Sequence, residues 1–234
     1  MNPLSKEQFL ETARSIAATV NKPVESNFSA FLSFAYDFPD IINPMGGVSL
    51  ASVSTASEVR SFLREYVLLN LKAREDKITL KDVSTRPDPV VDIVLEVFGK
   101  QPVHLLGKAS EYHRLSMAAE NEVGKLLEVY IANALEPQGW FWCPCSIIRG
   151  VDFFKPGNPV ILLQVKNRSN SENSSSSSIR KYLFESGCPV KIDKWYRINA
   201  KTGKTYWDTL PGNSRLQLAN ETGFHNFIRS YLAG

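Results

Sequence analysis

The sequence has few cysteines and no long apolar run. Its 234 residues include three cysteines, Cys143, Cys145 and Cys188, which form no paired disulfide framework and therefore fit a reducing compartment. No stretch approaches the roughly 18 apolar residues of a membrane-spanning helix. The first 20 residues also lack the apolar run of a secretory signal peptide. We therefore expect a cytoplasmic protein with no membrane partner.

The residue spacings of a zinc site are missing as well. The three histidines, at positions 104, 113 and 225, lie far apart in the chain. Cys143 and Cys145 have no second, suitably spaced cysteine or histidine pair. We expect packing or surface roles for these side chains rather than zinc binding.

Positive charge, in contrast, is concentrated in one segment. Residues 1–135 hold 14 Lys/Arg and 17 Asp/Glu, whereas residues 136–234 hold 13 and 7. The excess falls between Lys166 and Lys204, where aromatic residues such as Trp195 and Tyr196 are interspersed. A positive field attracts polyanions, and aromatic residues within it favour nucleic acid. A solvated basic surface is the alternative interpretation.

Hydrophobic periodicity predicts helices in the first half of the chain and an α/β pattern after it. Helices are predicted over about residues 5–20, 57–74, 89–98 and 224–232, with a short helix plus loop over 27–53 and a helix that begins at an N-cap at Ser116. Strands are predicted over residues 140–145, 147–154, 160–165, 191–198 and 205–210. The alternation of helices and strands indicates an α/β fold.

Asp152, Gln164 and Lys166 are predicted to meet at the end of a hairpin. Turn-forming residues 155–159 join the second and third strands, and a centre at residue 158 sets position 152 opposite position 164. Lys166 shares the face of Gln164 because side chains alternate along a strand. Polar groups in so apolar a strand are costly unless they have a partner or a function. A structural salt bridge between Asp152 and Lys166 is the alternative to a catalytic site.

These groups suit a magnesium site. Mg²⁺ prefers oxygen ligands, retains several waters and uses few carboxylates. Asp152, the carbonyl of Val165 and the amide of Gln164 are the candidate ligands. Such an ion lowers the pKa of a bound water and offsets phosphate charge, while Lys166 could orient that water and stabilise the transition state. The predicted reaction is phosphodiester hydrolysis.

The helix before the hairpin supplies a further carboxylate. Glu128 lies on the flank of its apolar face, in register with Gly124 and Glu120. The alternative is an ordinary exposed glutamate, and Glu120 and Glu122 are further candidates for the same role. The pattern resembles the first helix of PD-(D/E)xK nucleases in its glycine, glutamate, isoleucine, leucine and Gly-Trp at positions 124, 128, 131, 135 and 139–140.

Asp152 followed by Gln164-Val165-Lys166 resembles the catalytic hairpin of the same superfamily. The stretch after the hairpin is similar to type II restriction endonucleases of the SinI-like group, which cut GG(A/T)CC. The similar residues run from Asn167 through a Ser/Asn tract to Arg180, and then over Lys194-Trp-Tyr-Arg197. The resemblance implies that Asp152 is a metal ligand, Gln164 takes the acidic position, Lys166 is the catalytic lysine and Glu128 is the helix carboxylate.

The chain departs from the superfamily pattern at two positions. Val151 stands where proline precedes the aspartate, and Gln164 replaces an acidic residue. A neutral amide binds a divalent cation less tightly, so Glu128 is expected to supply the missing negative charge.

The resemblance also implies an architecture and partners. It implies a restriction-endonuclease-like core over residues 111–234, with a mixed central sheet flanked by helices. Periodicity predicts a mostly helical region over 1–110, whose role as scaffold, dimer arm or DNA clasp is open. The resemblance further implies double-stranded DNA as partner, a bacterial-type cytoplasm, Mg²⁺ as cofactor and 5′-phosphate products. The two-fold symmetry of a palindromic duplex site predicts a homodimer. A structure-specific or repair nuclease and a catalytically dead DNA-binding module are the alternatives.

Residues near the hairpin are the candidates for DNA contact. Arginine commonly reads guanine O6 and N7 in the major groove, so Arg168 and Arg180 could contact either bases or phosphates. By composition alone, the Ser/Asn tract is a flexible linker. The candidate DNA-binding residues are Asn167, Arg168, Asn170, Ser174, Arg180, Lys181, Lys194 and Arg197.

Overall fold

The computed structural model describes residues 2–20, 26–75, 103–169, 190–213 and 218–233. The chain divides into two compact units, one comprising Met1–Asp76 and Glu128–Gly234 and the other Lys77–Leu127. The helix predicted over 89–98 lies outside the described residues. In the part of the chain that the structure describes, no helix is long and apolar enough to cross a membrane.

In the first 75 residues, the described helices lie where periodicity predicts them. Helix α1 spans Lys6–Ala18, α2 spans Ser26–Asp37 and α3 spans Ala56–Glu75. Helix α1 begins at a capping box, in which the Ser5 hydroxyl accepts the Gln8 N–H and the Gln8 side chain accepts the Ser5 N–H. Single turns of 3-10 helix follow α2, so the prediction of a short helix plus loop is confirmed.

Within the described residues, four strands form one mixed sheet. They are β1 (Phe141–Trp142), β2 (Phe153–Lys155), β3 (Val160–Arg168) and β4 (Val190–Ile198), in that order across the sheet. The β1–β2 and β2–β3 pairs are antiparallel, and β3–β4 is parallel. Helix α4 (Val103–Leu135) precedes the sheet, and α5 (Glu221–Ala233) follows it. The predicted mixed α/β architecture is confirmed.

The N-terminal helices and the hairpin share one aromatic core. The Phe31 ring centroid lies 4.9 Å from that of Phe141 and 5.5 Å from that of Phe154, and Phe28 stacks on Phe141 at 5.0 Å. All four rings are buried. Burial of one such ring stabilises a fold by about 1.5–3 kcal/mol, so α2 supports the strands that lead into the candidate site.

Two strand predictions before the turn are wrong in extent. Residues 147–152 form no strand, since β2 begins at Phe153, and only a bridge between Ile148 and Ile42 occurs there. A 3-10 turn over Pro144–Ser146 also shortens the strand predicted over 140–145. The apolar residues Ile147 and Val151 are nevertheless buried, because they face the core of the N-terminal helices. Their hydrophobicity reflects burial rather than strand pairing.

Two further predictions need correction. Residues 205–210 form a bridge from Thr205 to Ile198 and then a 3-10 turn over Trp207–Thr209, instead of a strand. The indole of Trp207 packs on Trp195 at 5.2 Å between ring centroids, so burial accounts for its apolar signal. Ser116 is not an N-cap, because α4 begins at Val103 and runs through it.

Candidate active site

The hairpin has the predicted register. Phe153 pairs with Leu163 and Phe154 with Leu162. The same register sets Asp152, just before β2, opposite Gln164 of β3. The Asp152 N–H donates to the Leu163 carbonyl at 2.9 Å, and the Asp152 carbonyl accepts the Cys143 N–H at 2.8 Å. The backbone of Asp152 is therefore fixed from both neighbouring strands.

The Asp152 carboxylate spans the end of the hairpin. Its Oδ2 accepts the backbone N–H of Val165 at 2.7 Å. Burial raises the pKa of Asp152 to about 6, although this hydrogen bond and the charge of Lys166 both act to lower it. Asp152 and Lys166 are thus close enough to interact electrostatically.

Strand β4 adds two side chains beside this group. In the parallel ladder, Lys194 is the partner of Gln164, and Tyr196 is the partner of Lys166. The Lys194 ammonium lies 5.1 Å from the centroid of the Tyr196 ring. Gln164 is only 1% exposed. A carboxylate, an amide and two ammonium groups therefore lie on adjacent positions of three strands.

Glu128 comes from the last part of α4. Its Oε2 accepts the indole N–H of Trp142 at 3.1 Å. Burial raises the pKa of the neighbouring Cys143 thiol well above its usual range, and the charges of Asp152 and Glu128 are among the lesser causes. The negative charges of both carboxylates therefore raise the pKa of the same buried thiol.

The oxygen donors fit a magnesium ion in type, and they include few carboxylates. Among the described residues, no group of three or more His, Cys, Asp or Glu side chains is arranged to hold a metal. A hard cation here would rely on the Asp152 carboxylate together with the Gln164 amide and the Val165 carbonyl, with waters completing its shell. Glu128 is the other candidate carboxylate.

The two other helical glutamates differ in environment. Glu122 is 7% exposed and pairs with Lys125 at 3.0 Å. Glu120 is exposed.

Two of the candidate DNA-binding residues contact each other. The Arg197 Nε donates to the Asn167 side chain at 2.8 Å, and its guanidinium also pairs with Glu221. The Arg197 side chain is 12% exposed. Trp207 donates its indole N–H to the second oxygen of Glu221 at 2.7 Å. Contacts of Arg197 and Asn167 with DNA stay predictions.

The remaining candidates are partly described. Arg168 is exposed at the end of β3, and Lys194 is half-buried beside Gln164. Asn170, Ser174, Arg180 and Lys181 lie outside the described residues, so the structure adds nothing to their predicted roles.

Sequence reasoning missed the surroundings of the candidate site. Trp142 was predicted only as part of a strand, yet its indole contacts Glu128. Tyr196 was noted only as an aromatic residue among charges, yet it lies beside Lys166 in the ladder. Side-chain alternation could have identified Tyr196 only if the register of β4 had been known.

Comparisons with known proteins place the chain in an enzyme family. The family model described as "SinI restriction endonuclease" matches residues 10–234. The type II restriction enzyme Eco47I of Escherichia coli is 36% identical, and the match covers 98% of each chain. The type II restriction enzyme SinI of Salmonella infantis is also 36% identical, with 96% of each chain covered.

Proposed function

Because the chain belongs to the SinI restriction endonuclease family, we propose that it cleaves duplex DNA at GG(A/T)CC in a Mg²⁺-dependent reaction that leaves 5′-phosphates. Its relatives are type II restriction enzymes, so the protein is a site-specific deoxyribonuclease of a restriction-modification system. The base sequence, the metal and the product ends are the finer parts of the proposal.

The observation that carries the active-site assignment is the hairpin register, which sets Asp152 opposite Gln164 with its carboxylate bonded to the N–H of Val165, the residue before Lys166. Asp152, Gln164 and the Val165 carbonyl would hold the cation, with Glu128 as an additional carboxylate. A site of this composition would belong to the PD-(D/E)xK class. A bound divalent cation supplies positive charge against the phosphate and lowers the pKa of a water.

The chain's own groups account for the remaining chemistry. The Lys166 ammonium donates hydrogen bonds to the attacking water and to the phosphate oxygens, and its charge stabilises the negative charge that develops in the transition state. Lys194, beside Gln164, adds a second positive charge for the DNA backbone. The N–H of Val165 holds the Asp152 carboxylate in place.

Replacement of Lys166 by alanine tests the assignment. Purified protein is expected to cut phage DNA into discrete fragments only with Mg²⁺, and Lys166→Ala is expected to slow cleavage by at least about 100-fold. Sequencing of the fragment ends then gives the recognition sequence and the stagger of the cut.

Lys155→Ala is the matched control, because Lys155 is a lysine of the same hairpin whose ammonium lies over the Trp140 ring, 5.4 Å from its centroid. It is expected to cut at the wild-type rate. A non-specific smear, or equal cleavage by Lys166→Ala and wild type, would contradict the proposal.

A further inference from the structure

Trp142 is the residue that links the helix carboxylate to the hairpin. Its indole N–H donates to Glu128 Oε2 at 3.1 Å, and its Cα partner in the sheet is Phe153, the residue after Asp152. The next residue, Cys143, donates its N–H to the Asp152 carbonyl at 2.8 Å. Glu128 and Asp152 are therefore both held by consecutive residues of β1 and its extension.

Trp142 is itself held firmly. Its backbone N–H donates to Glu136 Oε1 at 3.1 Å, and its ring lies 5.6 Å from the Arg74 guanidinium. The ring is 7% exposed. Because these contacts restrain both backbone and indole, the orientation of the Trp142 N–H is fixed before any ligand binds.

The Trp142 indole is a neutral donor to Glu128. An indole N–H orients a carboxylate without adding a charge of its own, whereas a lysine or arginine in the same place would add one. The Arg74 guanidinium, which lies over the Trp142 ring, pairs with Glu136 at 2.7 Å. The arrangement suits a site in which neutral Gln164 occupies the usual acidic position.

We propose that Trp142 is a positioning residue for the nuclease site, which orients the Glu128 carboxylate toward a divalent cation. This inference rests on the proposed function, since it assumes that Glu128 serves the metal site. Hydrogen-bond partners of metal ligands commonly contribute 10- to 100-fold in metal affinity. Trp142→Phe is therefore expected to weaken Mg²⁺ binding by about 10-fold.

Calorimetric titration of metal into DNA-free protein measures this effect directly. Trp142→Phe keeps an aromatic ring under Arg74 but removes the N–H. Trp140→Phe is the matched control, because Trp140 is also buried, two residues away, and its indole N–H has no hydrogen-bond partner. It is expected to retain wild-type metal affinity. Equal affinities of wild type and Trp142→Phe would overturn the proposal.

A double-mutant cycle separates positioning from a general loss of structure. If Trp142 acts through Glu128, Trp142→Phe weakens metal binding in the wild-type background but has no further effect in Glu128→Gln. An undiminished effect in the Glu128→Gln background would overturn the proposal.

The wild-type protein provides a measurement that does not depend on the folding of Trp142→Phe. The indole N–H resonance of Trp142, assigned through Trp→Phe variants at the other three tryptophans, is expected to shift on addition of Mg²⁺ while that of Trp140 stays in place. No shift at Trp142 would overturn the inference alone, because Mg²⁺-dependent cleavage and its loss in Lys166→Ala test the proposed function separately.

Discussion

Asp152 shows what the partial burial of a carboxylate costs in this fold. Its backbone is fixed by Leu163 and Cys143, and its side chain accepts one peptide N–H. These contacts do not fully replace the water lost on burial, and the pKa of Asp152 therefore rises to about 6. A bound cation would remove that penalty, so the strain at this residue is consistent with a ligand site.

Asp152→Asn is expected to stabilise the metal-free protein. The native state holds a proton on Asp152 up to about pH 6, against a reference pKa of 3.8, so this group makes stability fall as the pH rises through that interval. At pH 7.5 in EDTA the uncharged variant should gain roughly 1–3 kcal/mol in free energy of unfolding, measured by urea denaturation, while it loses cleavage.

The exposed Asp208 provides a control for that substitution. Asp208→Asn should change the free energy of unfolding by no more than about 0.5 kcal/mol and leave its pH dependence unaltered. A destabilised Asp152→Asn with the wild-type pH profile would show that the buried charge is not costly.

The contacts within the hairpin could be predicted from the sequence because they are local. The turn residues between Lys155 and Val160 fix which residues face each other, so the pairing of Phe153 with Leu163 follows from counting. The roles of Asp152 and Lys166 follow from their chemistry and from the family resemblance, and they stay predictions. The contact from Trp142 to Glu128 had no sequence signal, because it joins an indole and a carboxylate through tertiary packing.

At the scale of elements, Glu221 ties the last helix to β4. It pairs with Arg197 of β4, accepts the Trp207 indole N–H, and lies 3.0 Å from the His225 imidazole. Burial acts to raise the pKa of Glu221, but the hydrogen bonds from Trp207 and Arg197 outweigh it and lower the pKa below its usual value. The carboxylate is therefore more stable in the native state than in the unfolded chain.

Glu221→Gln is expected to lower the free energy of unfolding by roughly 1–2 kcal/mol at neutral pH, because it leaves the largely buried Arg197 guanidinium without its counter-ion. Since the native pKa is depressed, this contribution is present above the unfolded value of about 4.5 and is lost as the pH falls through the native value. Wild type and variant should therefore converge in stability once the pH falls below the native pKa of Glu221.

Glu11→Gln is the comparison for this experiment, because Glu11 pairs with Arg14 on an exposed surface of α1. Such a pair contributes at most about 1 kcal/mol. If Glu221→Gln cost no more than Glu11→Gln at neutral pH, α5 would not depend on the Arg197 ion pair.

Elements with strong periodicity could be predicted, whereas pairing across the sheet could not. Helix α3 and strand β4 follow their patterns closely. Lys194 is the ladder partner of Gln164 because of the register between the parallel strands β3 and β4. Parallel strands are joined by a long connection, so nearby sequence does not determine that register. The burial of Ile147 and of Trp207 produced false strand signals, because apolar residues in irregular segments serve the core equally well.

At the scale of the whole molecule, the symmetry of the DNA predicts the assembly. In the proposed site, GG(A/T)CC, the outer base pairs are related by a two-fold axis through the central pair, so two copies of the chain can approach the two strands equivalently. Light scattering is expected to give twice the 26.2 kDa of one chain. Mixing wild type with excess Lys166→Ala should produce nicked circular DNA, because each mixed dimer cuts one strand.

A mixture that yields only linear DNA, or a monomer that cuts both strands in one encounter, would contradict this assembly. An excess of Lys155→Ala serves as the control, because mixed dimers with that variant keep two complete sites and should linearise the plasmid.

The uneven charge of the chain fits its substrate. Residues 136–234 carry 13 basic and 7 acidic residues. Each phosphate contact that such residues make releases counter-ions, so binding is expected to weaken as salt concentration increases. Composition alone indicated this general property, but it could not identify a recognition sequence.

The shared aromatic core also constrains how the protein can change over evolution. Phe28 and Phe31 of the N-terminal helices complete the packing of Phe141 and Phe154, which lead into the hairpin. A recombination event that replaced the first 75 residues with a foreign segment would expose those hairpin rings to water and loosen the strands next to Asp152. New sequence specificities in this lineage are therefore expected to arise by point substitution around an intact core rather than by exchange of an N-terminal module.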